Sequence, residues 1–224
     1  VREIDEEKLK EKRLVEIICE EIKQNKDKIY GLKRLMKCVN LSKKSYSEIW
    51  ESFWEGKIPP NMEIDIILVS DDLPNKVDDA FITAVEVKWF KDINKRNFYE
   101  GIGQTLGYAS FGFDSLVLWH LFSNSIADAA VEKFANTVEE IIEGFDLSIV
   151  YFASKVEKVK PRIELKWFTP KPIPGRPCDV AALIETMIRS KCTVKRNPLL
   201  YNSRYEERIK ERRKTLKAAL QIPV

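Results

Sequence analysis

Glu86 and Lys88 stand two residues apart in FITAVEVKWF, a run whose Ile, Val and aromatic content predicts a strand over 81–90. Side chains two apart leave a strand on one side, so the carboxylate and the ammonium share a face with Ile82 and Ala84. On a partly buried face such a pair is costly unless the two groups pair or bind something. A second acid, Asp65, lies in MEIDIILV (62–69), a predicted strand in which it alternates in step with Glu63, Ile67 and Val69. The polar run SDDLPNKVDD (70–79) reads as a loop and makes the two strands hairpin partners, which brings Asp65 near Glu86. Two carboxylates held together repel, and each raises the other's pKa unless a cation sits between them. All-oxygen ligation suits Mg2+ or Mn2+. Lys88 beside them would orient a water or stabilise developing negative charge. Groups of these kinds suit metal-assisted hydrolysis of a phosphodiester. The competing account, a salt bridge on an exposed sheet face, is opposed by Ile82 and Ala84.

Around this pair the elements fall as follows. Residues 5–25 read as a helix, with Leu14, Val15, Ile18 and Ile22 at helical spacing. A second helix is expected from Ser45, ended by Gly56 and the Pro59-Pro60 pair. The segment NFYEGIGQTLGYASFG predicts a helix over 98–111, with Phe98, Ile102, Leu106 and Ala109 as its core stripe. Gln104 and Tyr108, four apart, lie together off that stripe. Gly101, Gly103 and Gly107 each cost about 1 kcal/mol in a helix, so something is expected to approach them closely. SLVLWHLF (115–122) is apolar on both faces and reads as a central strand, followed by a helix over 126–143 and a buried strand over 147–153. Arg162–Phe168 reads as an edge strand. His120 is in step with Leu116, Leu118 and Phe122, which favours a hydrogen-bonded core histidine over a catalyst. The order of elements predicts an α/β protein with a mixed sheet flanked by helices.

Asp65 followed by Glu86-Val87-Lys88 on adjacent strands, with Gln104 and Tyr108 spaced Q-x-x-x-Y on the next helix, resembles the PD-(D/E)XK nuclease superfamily and its RecB-like branch. The resemblance covers about residues 10–155. It implies a restriction-endonuclease-like core and a metal-dependent deoxyribonuclease using Mg2+ or Mn2+. Asp65, Glu86 and the Val87 carbonyl would hold the metal, Lys88 would act on the water, and Gln104 and Tyr108 would orient Lys88 or the phosphate backbone. The family also draws a Glu from its first helix. Glu21, which falls beside Leu14 and Ile18 around the axis, is the first choice, with Glu48 and Glu51 as alternatives. DNA is the implied partner, and a homodimer is an option because relatives cut two strands. The alternative function is a catalytically inactive DNA-binding or assembly protein that retains the fold.

Composition narrows the classes further. No run approaches 18 apolar residues, so no membrane span is expected. VREIDEEKLKEKR at the N-terminus is too charged for a secretory signal, and the expectation is an intracellular, cytoplasmic protein. Cys19, Cys38, Cys178 and Cys192 are too scattered for a zinc site and read as free thiols. The expected division is a core over 1–168, a Pro-rich linker TPKPIPGRP over 169–177 and a basic helical extension over 178–224. That extension holds eleven Lys and Arg against five Asp and Glu, although the chain as a whole is only +3. Arg204, Arg208, Arg212 and Lys214 are its expected nucleic-acid contacts, through phosphates.

Overall fold

The structure, a computed structural model, describes residues 9–41, 62–72, 77–93, 98–159, 162–170, 176–191, 195–201 and 203–222. The helix expected from Ser45, with Glu48 and Glu51, lies outside the described residues, as does Cys192. The elements are α1 (Glu11–Gln24), β1 (Leu32–Asn40), β2 (Glu63–Asp72), β3 (Val77–Phe90), α2 (Ile102–Gly107), β4 (Ser115–Ser123), α3 (Asp128–Gly144), β5 (Val150–Lys158), β6 (Glu164–Thr169), β7 (Arg176–Asp179), α4 (Val180–Thr186) and α5 (Glu206–Ala219). A 3-10 turn, Tyr108–Phe111, continues α2.

The described strands form one seven-stranded mixed sheet in the order β1 to β7. β3–β4 and β4–β5 are parallel, and the other neighbours are antiparallel. Parallel neighbours need crossovers, supplied here by α2 between β3 and β4 and by α3 between β4 and β5. Every residue of β4 is buried, as its two-sided apolar pattern predicts. One face of the sheet packs on Leu14, Val15, Ile18, Cys19 and Ile22 of α1 and on Val180, Leu183 and Ile184 of α4. The other face packs on α3 through Val131, Phe134 and Val138, and on Tyr108, Phe111 and Leu216 of the 3-10 turn and α5. The chain is therefore an α/β protein with helices on both faces of the sheet. No helix among the described residues is long and apolar enough to cross a membrane.

Several expectations change. β1 has no counterpart among the expected elements. Its LKRLMKCVN carries Lys33 and Arg34 at exposed positions and Lys37 at a half-buried one because it is the outermost of the described strands, where Lys and Arg discourage further pairing. β2 and β3 reach further into 70–79 than the loop assignment allows, to Asp72 and from Val77. The strand expected at the sheet edge over Arg162–Phe168 is instead covered, because β7 pairs with β6. The expected linker over 169–177 ends inside the sheet, since Arg176–Asp179 pairs with β6 and leads directly into α4. The helix expected over 98–111 shortens to α2 and its 3-10 turn, because Gly101 and Gly112 take φ of +85° and +87° and bound it. Phe98 accordingly leaves the core stripe and is 41% exposed.

Candidate active site

β2 and β3 pair from Asp72 and Val77 down to Ile66 and Val85, and then part. β3 continues to Phe90 against β4, whereas β2 continues against β1. Past Val85, the side of β3 that faced β2 has backbone groups and, among the described residues, no strand. Two carboxylates replace it. Asp65 Oδ2 accepts from the Val87 N–H at 2.8 Å, and Glu11 Oε2 accepts from the Trp89 N–H at 2.8 Å. Alternate residues of a strand present their backbone groups to the same side, and N–H and C=O of one residue point together. The Val87 carbonyl is thereby turned into the gap beside Asp65. Across β2, the residue of β1 opposite Asp65 is Cys38, whose φ of +49° marks a local kink.

Glu86 is fully buried at this fork. Its Oε2 forms a short hydrogen bond with the Tyr108 hydroxyl, which also lies 2.9 Å from the Glu63 carbonyl. Lys88 Nζ stands 2.5 Å from Glu86 Oε1 and 3.8 Å from Glu11 Oε1. The Lys88 contact is close but poorly directed, so Oε1 keeps no hydrogen bond of good geometry. Gln104 ties the set together: its Nε2 donates to the Tyr108 hydroxyl at 3.2 Å and to the Glu63 carbonyl at 3.4 Å, and its Oε1 accepts from Lys88 at 3.5 Å. The short helix α2 is placed for this by Gly101. A Cβ there would stand 2.7 Å from Leu118 Cδ1 and 3.2 Å from Lys88 Cγ, so the turn lies directly on the stem of the lysine. At Gly107 the near neighbour is Met62 Cε, whereas at Gly103 nothing lies within 4 Å. His120, fully buried, holds the same turn from beneath. Its Nε2 is 3.0 Å from the Glu100 carbonyl, so that nitrogen carries the proton, and its Nδ1 accepts from the Tyr151 hydroxyl at 3.1 Å. Burial pushes its pKa down to about 3, and it is neutral. Beyond Lys88 the site opens into a cleft of about 750 Å3 lined by residues that include Lys10, Glu11, Trp89, Lys91 and Glu100.

Asp65, Glu86 and Lys88 are all shifted upward. Burial, and then the Glu86 charge, push Asp65 up to about 7 against the pull of the Val87 N–H and Lys88. Burial raises Glu86 in spite of Lys88 and Tyr108. Burial alone would lower Lys88, but Glu86, Glu11 and Asp65 outweigh it and hold the ammonium above its ordinary value. Acids and base that all hold protons more tightly than in water describe a locus short of positive charge. A divalent cation would answer that shortage. The groups suited to it are Asp65, Glu86 with its poorly satisfied Oε1, and the Val87 carbonyl. Among the described residues no three His, Cys, Asp or Glu side chains form a metal cluster, and Lys88 stands between Glu11 and Glu86. Two carboxylates and a carbonyl still suffice for a hard cation that keeps several waters, as Mg2+ does.

Five residues singled out in the sequence meet here: Asp65, Glu86, Lys88, Gln104 and Tyr108. Glu21 does not join them. It lies in the last turn of α1, where its carboxylate accepts from Asn25 Nδ2 at 2.9 Å, about 15 Å along the axis from Glu11. Glu11, not among the residues expected from the sequence, is the first-helix acid at the fork. Of the four expected nucleic-acid residues, Arg204, Arg208 and Lys214 are exposed on or beside α5, but Arg212 is buried and donates to the Ser110 carbonyl at 3.0 Å. Comparison with protein-family models, with characterised proteins and with solved structures finds no match.

Proposed function

We propose that this chain is a divalent-metal-dependent nuclease that hydrolyses DNA phosphodiester bonds, on a core of the restriction-endonuclease-like, PD-(D/E)XK kind. The observation that carries the reading is the network of Glu86, Lys88, Gln104 and Tyr108, with Asp65 on the Val87 N–H beside it, at the point where β2 parts from β3. Mg2+ or Mn2+ held by Asp65, Glu86 and the Val87 carbonyl would polarise a phosphoryl oxygen and lower the pKa of a bound water. Lys88 supplies a fixed ammonium for the attacking water or for charge developing on the phosphate. Gln104 positions Lys88, and Tyr108 fixes the orientation of Glu86. Glu11 holds the β3 backbone at Trp89 and adds negative charge behind Lys88.

The test is cleavage of supercoiled, linear and single-stranded DNA in Mg2+, in Mn2+ and in EDTA. Cleavage is expected with either metal and none with EDTA. Glu86→Gln should abolish it while DNA binding persists, because the carboxylate repels phosphate unless a cation intervenes. Lys88→Ala should lower the rate by about 100-fold or more while Mn2+ binding, followed by calorimetry, persists. Full activity in pure Glu86→Gln protein would overturn the assignment. The close Lys88–Glu86 contact favours a second reading, a non-catalytic DNA-binding protein in which the ion pair fills the gap. That reading expects neither Mn2+ binding nor cleavage.

A further inference from the structure

Two large aromatic side chains, Phe98 at 41% and Tyr99 at 65%, stand exposed just before Glu100, which lines the cleft. Scattered exposed rings need no explanation, but these are adjacent and belong to the turn that builds the cleft wall. That turn is held firmly. Phe98 packs on Phe134 with ring centroids 4.9 Å apart. The Tyr99 carbonyl accepts from the Ile102 N–H at 3.2 Å. The next carbonyl, that of Glu100, accepts from the buried His120, and Gly101 lies against the Lys88 stem. Glu100 itself lines the cleft. Tyr99 is thus two residues, at most about 8 Å of chain, from the position that touches Lys88. Lys10 and Lys91 line the same cleft with Lys88, interspersed with Glu11, Asp92 and Glu100.

Cationic groups for phosphates, with an exposed ring on a fixed turn beside them, are the components of a single-strand site. A closed duplex keeps its base faces stacked and offers such a ring nothing. Building on the nuclease reading, we infer that Tyr99, with Phe98 beside it, is a stacking surface for an unpaired base flanking the scissile phosphate. The preferred substrate is then a single strand or a frayed end.

The experiment measures binding of the full chain to a fluorescent thymidine oligonucleotide by anisotropy in Ca2+, alongside the same strand made abasic and a closed hairpin duplex. Cleavage of each is followed in Mg2+. Wild type is expected to bind and cut the normal single strand in preference to the hairpin. Tyr99→Ala should weaken binding by about 5-fold or more, the low end for one base on one ring, and should leave the abasic strand unaffected. Tyr99→Phe should keep the affinity and Tyr99→Leu should not, because stacking needs a π face. Equal binding by wild type and Tyr99→Ala, an equal loss on the abasic strand, full rescue by Leu, or a preference for the hairpin would each overturn the inference. Failure to bind the single strand at all would do the same. The outcomes also distinguish the stacking surface from the nuclease reading. Tyr99-dependent binding without any cleavage removes the nuclease reading and leaves the stacking surface, whereas cleavage indifferent to Tyr99 removes the stacking surface alone.

Discussion

Tyr108 has one hydroxyl proton and two acceptors within reach, Glu86 Oε2 and the Glu63 carbonyl. Gln104 relieves the conflict by donating to Glu63 as well. Removing the hydroxyl in Tyr108→Phe leaves a buried carboxylate oxygen without a donor, which costs about 1–3 kcal/mol. Urea unfolding should show that loss, and an unchanged midpoint would mean that the hydroxyl does not hold Glu86. His120 allows a test by pH. Its pKa is about 3 in the fold against an ordinary 6.5. Between those values the unfolded chain binds a proton that the native chain does not. The stability from keeping His120 neutral is therefore complete above about 6.5 and is lost as pH falls toward 3. Asp65 acts with the opposite sign. Raised from 3.8 to about 7, it holds a proton in the fold that the unfolded chain has lost, so its contribution favours the acid end and fades as pH rises through that window. Comparing wild type with His120→Gln isolates the imidazole. The stability advantage of wild type over His120→Gln should shrink by about 2–3 kcal/mol between about pH 7.5 and pH 4.5. A difference that does not move with pH would show that His120 titrates as it does in water.

The short helix α2 carries Gln104 and Tyr108 onto Lys88, and its glycines are not equivalent. Gly101 combines a φ of +85° with contact against Leu118 and Lys88. Gly101→Ala should therefore cost roughly 1–3 kcal/mol and, on the proposed nuclease reading, lower turnover by shifting both the lysine and the helix. Gly103 lies in the helix with open space around it. Gly103→Ala should raise stability by about 0.5–1 kcal/mol with the site intact. Thermal unfolding of the two variants checks the contrast, and similar shifts would refute it. The sequence shows the close approach at Gly101 and Gly107 only as a glycine excess, and it cannot tell them from Gly103. Asp65, Glu86 and Lys88 are legible because a polar residue inside an Ile- and Val-rich strand is conspicuous. β1 is not, because an outer strand with interspersed lysines lacks clean alternation. Glu11 escapes notice for a different reason. Angle around a helix says which residues face the sheet, and there Glu21 lies closer than Glu11 to Leu14. It does not say which end of the helix lies over the fork. That depends on how α1 crosses β3, which is a tertiary fact.

The C-terminal segment is built into the body of the molecule. Leu216, Leu220 and Ile222 are buried in the same cluster as Ile67, Ile82 and Tyr108. Arg213 grips the buried Asp114 through Nε at 2.8 Å and Nη2 at 3.0 Å, and its Nη2 also donates to the Ala80 carbonyl at 2.8 Å. Asp114 in turn accepts from the Ile82 N–H at 2.8 Å, which fixes β3 on its way to Glu86. Asn197 donates to the Ala109 and Phe113 carbonyls, beside the 3-10 turn that carries Tyr108. Deleting residues 203–224 should thus expose apolar surface and produce aggregation in place of a soluble, folded protein. Arg213→Ala should destabilise by about 3–5 kcal/mol, because it takes the guanidinium and its two hydrogen bonds from a buried carboxylate. The basic surface can be tested without disturbing this anchor. Arg204, Arg208 and Lys214 are exposed, and Lys214 pairs with its helix neighbour Glu211 at 2.6 Å. Replacing the three with Gln should leave the melting temperature nearly unchanged. If they meet phosphates, removing each such cation flattens the log–log salt dependence of DNA binding by about 0.9 on duplex and about 0.7 on a single strand. Arg212→Gln should behave differently. It removes a buried hydrogen bond to Ser110, lowers stability and leaves the salt slope alone. A triple variant with wild-type melting and a wild-type slope would show that α5 closes the hydrophobic face of the sheet and does not touch the nucleic acid.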